Sequence, residues 1–182
     1  MDTETVNGTP PSGAVAGRTV SARGVGWVLC SATAADVEAI AELRAVVMRP
    51  DLERLGRYDE VRVRQRFRDS FSERHTSVVV VDGELAGCVT VRPTAKGRML
   101  EHFYLAHRHQ GRGLGTAVLR AVLARTDAEE AAVRLTVLQG SSARRLYERH
   151  GFVTESQDPV DVVMVRPPVG GTAARNRPPA ER

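Results

Sequence analysis

Lysine, cysteine and aromatic side chains are all scarce in this chain, and no long apolar run occurs in it. Lys96 is the single lysine among 26 basic residues, so arginine carries the formal charge of +4 and the pI of about 9.7. A chain-wide arginine-for-lysine bias reads as genome composition, although it also suits a cationic mouth for an anionic cofactor. Aromatics at 4% leave few platforms for base stacking and no reader motif occurs, so nucleic acid is excluded as the expected partner. Cys30 and Cys88 form no Cys-x-x-Cys pair and have no histidine near them. That excludes a disulfide framework and a zinc site, and no metal is expected. Cys88 lies in an apolar run, where a buried thiol acting as a small hydrophobe is expected. No apolar stretch is long enough to span a membrane, and the first residues lack the basic and apolar regions of a secretory signal. A cytoplasmic protein without a membrane partner is the expectation.

What is present suits one domain. A hydrophobic content of 42% in 182 residues supports a core built from Val, Leu and Ala. Residues 1–23 and 167–182 are rich in Gly, Pro, Ser, Thr and Ala without apolar periodicity, and read as disordered tails around a domain at 24–166. Gly26 to Ser31 reads as a strand. Thr33-Ala34-Ala35-Asp36 resembles a capping box before a helix with Val37, Ile40, Leu43 and Val47 in register, stopped by Pro50. Tyr58 to Phe71 reads as a second helix. Asp82-Gly83 between two β-branched runs is a strong hairpin signal. Strands follow at Met99 to Leu105 and Val133 to Leu138, with a helix from Gly113 to about Arg125 between them. A helix from Ser141 or Ser142 through His150, ended by Gly151, precedes two last strands. The order β-α-α-β-β-β-α-β-α-β-β predicts an α/β or α+β mixed sheet of about six to seven strands with helices on its faces.

The strand at Met99–Leu105 runs straight into Gln110-Gly111-Arg112-Gly113-Leu114-Gly115 at a helix start. The first N–H groups of a helix lack internal partners, and its dipole puts partial positive charge there, so the loop is suited to a phosphate. The spacing differs from the dinucleotide fingerprint, and no Gly-Lys-Ser/Thr follows for a nucleotide-triphosphate loop.

Gln110-x-x-Gly113-x-Gly115 resembles motif A of the GNAT superfamily, the Gcn5-related N-acetyltransferases. Val137 through Phe152, with Ala143, Leu146-Tyr147 and Gly151-Phe152, resembles its motif B, at the expected order and distance. The resemblance covers roughly Gly24 to Arg166. It implies an acyl-CoA N-acyltransferase fold, with the Met99–Leu105 and Val133–Leu138 strands splayed around acetyl-CoA. Pantetheine would then pair with the backbone of Phe103, Tyr104 and Leu105. The pyrophosphate would lie on N–H groups across Gln110, Gly111, Arg112, Gly113, Leu114, Gly115 and Thr116, with Ser141 a further contact. Tyr147 matches the residue that protonates the departing thiolate; packing beside Leu146, or a hydrogen bond to sulfur alone, are its other readings. Glu101 is the candidate base and His102 the runner-up; Glu101 is alternatively paired with an arginine or exposed.

Two positions depart from the family pattern. His107 replaces a proline, and Gly140 replaces an asparagine whose contact Ser141 or Gln139 would take over. The implied acceptor is a primary amine, a small molecule being favoured over a protein N-terminus or lysine, with an acyl-CoA-binding sensor as the competing function. Arg57 and Tyr58 fall where the family builds its acceptor pocket, and Arg64 and Arg68 would suit an acidic acceptor. A homodimer is a family expectation. His107 and His109 lack a third ligand and read as exposed neighbours of the loop.

Overall fold

The computed structural model describes residues 20–22 and 25–169. In chain order they form β1 (Val20–Ala22), β2 (Val25–Ser31), α1 (Val37–Arg54), α2 (Glu60–Ser70), β3 (Thr76–Val81), β4 (Glu84–Thr94) and β5 (Gly97–Leu105). Then come α3 (Leu114–Ala128), β6 (Val133–Leu138), α4 (Ala143–Glu148), β7 (Val153–Gln157) and β8 (Asp161–Arg166). The eight strands make a single mixed sheet in the order β1-β2-β3-β4-β5-β6-β8-β7. β1 pairs with β2 and lies inside the segment read from composition as a tail. Residues 1–19 and 23 of that segment, and residues 170–182 of the C-terminal one, lie outside the described residues.

Local chemistry explains the pairings. Asp82 and Gly83 both hold positive φ, 52° and 83°, so the β3–β4 loop is the two-residue hairpin expected there, with Val81 opposite Glu84. Antiparallel pairing runs through β1 to β5 and again through β6, β8 and β7. The two blocks meet at a parallel contact between β5 and β6, which α3 makes possible by crossing over the sheet.

Side chains alternate between two cores. On one face Trp27, Leu100, Val118, Leu119, Leu135, Phe152 and Met164 are buried under α3 and α4. On the other Ile40, Ala41, Phe67, Val78, Cys88 and Tyr104 are buried under α1 and α2. Cys88 is fully enclosed, its thiol pushed up to about 12 by desolvation.

Pro50 does not stop α1, which runs on to Arg54 with Pro50 inside it. Proline fixes a φ that a helix accepts; what it loses is the N–H to the carbonyl four residues back, and its ring crowds that carbonyl. The last turn is retained, with the Leu55 N–H on Asp51 O at 3.1 Å. Pro50→Ala restores the missing donor at an exposed site, and is expected to stabilise the fold by roughly 1–3 kcal/mol. Urea unfolding measures this; an unchanged or lower midpoint would show that α1 carries no such defect.

Candidate active site

Parallel pairing between β5 and β6 covers only Arg98 with Val133 and Met99 with Arg134. Beyond these the strands part, and Thr136 in the middle of β6 is exposed. The register between β4 and β5 shows why. Thr90 faces Glu101 and Cys88 faces Tyr104, so β5 carries one extra residue, a bulge that bends and twists its strand. His102 sits at that bulge with φ 49°, a left-handed conformation that costs a residue other than glycine on the order of 1–3 kcal/mol.

The surroundings of His102 hold it there. Its Nδ1 lies 3.3 Å from Thr90 Oγ1 and its Nε2 3.2 Å from Ser70 Oγ. Its ring meets Phe67 edge-on with centroids 5.1 Å apart. Burial, against the opposing pull of Glu101, lowers its pKa to about 4. The runner-up base is therefore a neutral pin between the sheet and α2.

The glycine-rich loop leaves the end of β5 through a short turn at His107–His109. Gly113 caps α3 at φ 87°, where a Cβ would be strained. Among the described residues, no backbone N–H from Gly111 through Thr116 meets an acceptor, and the first helical bond runs from Ala117 N–H to Gly113 O. Open space surrounds the Cα atoms of Gly111 and Gly113. A row of unpartnered donors on an open loop at a helix N-terminus fits a pyrophosphate. The Gln110 side chain faces the other way and donates to Leu105 O at 2.8 Å, tying the loop to β5. Leu114 is buried in the larger core, Arg112 is exposed, and Phe103 is half-buried against that core.

The second motif folds as a helix stop. Gly151 holds φ 84°; its N–H bonds Glu148 O and the Phe152 N–H bonds Tyr147 O. That is the Schellman pattern, and its apolar clasp is the Tyr147–Phe152 ring pair at 5.7 Å. The spacing of Tyr147, Gly151 and Phe152 thus builds the turn that carries α4 into β7. Tyr147 is 6% exposed, and its hydroxyl makes no hydrogen bond among the described residues. Burial raises its pKa above the usual phenol value, and nearby Tyr104 adds to this.

Glu101 takes the ion-pair alternative: Arg92 Nε and Nη2 each donate to its carboxylate at 2.8 Å. Ser141 Oγ lies 3.4 Å from the Ala143 N–H at the start of α4. Gly140 has a reason to be glycine that the sequence does not show. It holds φ 73°, where any side chain would be strained, and the guanidinium of Arg54 lies against it, with Arg54 Nη2 donating to Gln139 O. The extension of α1 past Pro50 delivers this arginine.

A cavity of about 310 Å³ opens between α1, α2, the C-terminal end of β6 and the β7–β8 turn. Arg57 lines it, as do Arg44, Arg62, Arg66, Leu138 and Asp161; nothing in the sequence marks Arg44 or Asp161, and Arg62 and Arg66 read there as part of a solvated helix face. Tyr58 is turned aside, with the Arg49 guanidinium 5.1 Å above its ring. Arg64 and Arg68 are taken as well, each paired with a carboxylate of α1, Glu42 and Glu38 respectively. Their helical spacing in sequence carried no sign of those partners.

His102 makes the fold acid-sensitive. The unfolded chain protonates this ring near 6.5 and the folded chain only near 4, so unfolding takes up a proton between those values. Stability is then full above about pH 6.5 and falls as pH drops towards 4. Urea midpoints at pH 7 and pH 5 should therefore differ more in the native protein than in His102→Gln; equal differences would contradict the assignment.

Comparison with known proteins agrees with this geometry. The model of the acetyltransferase (GNAT) domain matches residues 49–162. No curated protein matches the sequence significantly. Among solved structures, PaiA N-acetyltransferase from Thermoplasma acidophilum, crystallised with coenzyme A, aligns with a TM-score of 0.64 at 18% identity over 78% of this chain and 98% of its own. The ribosomal-protein-S18-alanine N-acetyltransferase of Escherichia coli aligns at 0.63 and 18% identity over 83% and 98%. A GNAT-family acetyltransferase of Listeria monocytogenes aligns at 0.59 and 16% over 82% and 99%. With the glycine-rich loop, the splayed strands and the domain model in agreement, the chain belongs to the GNAT acetyltransferases, whose acyl donor is acetyl-CoA.

Proposed function

We propose that the protein transfers the acetyl group of acetyl-CoA to a primary amine of a small molecule. The observation that carries this is the row of unpartnered N–H groups from Gly111 through Thr116 at the mouth of the β5–β6 splay. These donors suit the pyrophosphate. The splay leaves the β5 backbone at Phe103, Tyr104 and Leu105 beside the path of pantetheine, although Leu105 O is already held by Gln110. A cavity of about 310 Å³ favours a small acceptor over a protein segment, being near the lower end of small-molecule sites.

In this reading the neutral amine attacks the thioester carbon, the C–N bond forms, the C–S bond breaks and sulfur leaves as thiolate. A backbone N–H near Leu105 polarises the carbonyl. Tyr147 donates a hydrogen bond to the sulfur. Complete transfer of its proton is uphill, since a free thiol titrates near ~8.5 and this phenol is raised above its usual value. The thiolate is protonated by solvent or by the new ammonium. Glu101, held by Arg92 through both oxygens, is assigned no proton transfer, and His102 is shut in behind it. The limb of the pH profile then belongs to the acceptor's own amine.

Thiol release from acetyl-CoA with a panel of amines tests the reading. Tyr147→Phe should lower kcat by roughly 10- to 100-fold with CoA affinity kept, the loss of one hydrogen bond to developing charge. Glu101→Gln should change kcat/KM by less than about threefold, because a true general base contributes far more. A large loss in Glu101→Gln with disappearance of the acidic limb would restore Glu101 as base. Tight CoA binding with no amine-dependent thiol release would favour the sensor instead.

A further inference from the structure

We infer that the acceptor is an amine that also bears an anionic group, a carboxylate or a phosphate, and that Arg44 is the residue that selects it. This rests on the acetyl-transfer reading above and names the substrate class of that site.

Arg44 projects from α1 into the seam between α2 and β5. Its Nε donates to Tyr104 Oη at 2.9 Å and its Nη1 to Val63 O. These contacts fix the side chain, and they use two of the five guanidinium donors. No carboxylate pairs with it among the described residues, although it is half-buried and lines the cavity. A desolvated, oriented guanidinium with donors to spare matches carboxylate and phosphate oxygens in geometry as well as charge.

The neighbouring charges reinforce this. Arg57, Arg62 and Arg66 line the same cavity, and none has an ion pair among the described residues. Three aspartates line it too, and two of them are also held by backbone N–H groups. Asp158 accepts the Val160 and Asp161 N–H groups, both at 2.7 Å, and Asp59 accepts the Arg62 N–H at 2.7 Å. Arg64 and Arg68, on the opposite side of the same helix, are neutralised by Glu42 and Glu38. Four arginines against three aspartates leave the cavity lining with one positive charge in excess, whereas Arg64 and Arg68 are matched one for one by the α1 carboxylates. Asp161, on the far wall, makes no side-chain hydrogen bond among the described residues, so the acceptor's ammonium has a place opposite its anion.

Matched amine pairs test the inference by thiol release: β-alanine against its amide, and phosphoethanolamine against ethanolamine. The anionic member of at least one pair should have the higher kcat/KM by tenfold or more; which pair responds separates carboxylate from phosphate. Arg44→Gln should bring that ratio close to one. Arg57→Gln with Arg66→Gln, which touches neither Val63 nor Tyr104, should reduce the ratio severalfold and decides the matter should Arg44→Gln fail to fold. Equal use of both members of each pair, or equal losses for both in the variants, would overturn the proposal. If no amine accelerates thiol release, acetyl transfer fails as the activity. Calorimetric titration of the CoA complex with the same pairs then decides separately, with Arg44-dependent preference for the anion supporting the inference and its absence refuting it.

Discussion

The opening between β5 and β6 depends on one backbone distortion, the extra residue in β5 at His102. Two strands that stayed paired along their whole length would leave no edge for a ligand, because each would satisfy the other's N–H and C=O groups. The bulge bends β5 away after only two paired positions, and it does so at a left-handed histidine held by Ser70, Thr90 and Phe67. The site therefore rests on side-chain anchoring from α2 as much as on the sheet. It also explains why an ionisable residue on the reaction strand serves geometry: its ring is held neutral by burial, and its donors and acceptors face its anchors.

From that opening the other parts follow. The loop after β5 turns under Gln110, which ties it to Leu105 O, and α3 begins with its donors exposed to the splay. Opposite, the Schellman stop at Gly151 fixes α4 so that Tyr147 lies in the core beneath the gap, its hydroxyl uncommitted. Arg54 reaches across from α1 to Gln139 and fills the space above Gly140. The proposed acceptor cavity is walled by α1, α2 and the β7–β8 turn, and its charge depends on which arginines find carboxylates and which do not.

Much of this was legible in the sequence because it is written in local chemistry. Asp82-Gly83 announces its hairpin through two positive φ values, and Gly113 and Gly151 mark a helix start and a helix stop for the same physical reason. The spacing of Tyr147, Gly151 and Phe152 matches a Schellman stop, with glycine at the left-handed position and an apolar pair across it. What was hidden depends on tertiary partners. Pro50 reads as a stop, but packing of α1 overrides it. Arg64 and Arg68 look available until Glu42 and Glu38 arrive from another helix, while nothing local in the sequence shows that Tyr104 and Val63 orient Arg44. Glu101 follows the same logic, since strand alternation does not reveal that Arg92 lies diagonally across from it.

The proposed seat of the acyl donor's pyrophosphate is the row of N–H groups that opens α3. Titration of ¹⁵N-labelled protein with coenzyme A reads those groups one by one. The amides of Gly111 through Thr116 should show the largest downfield shifts in the chain, with smaller changes on β5 at Phe103 to Leu105. Coenzyme A binding with these six amides unmoved, and the shifts gathered elsewhere, would contradict this placement.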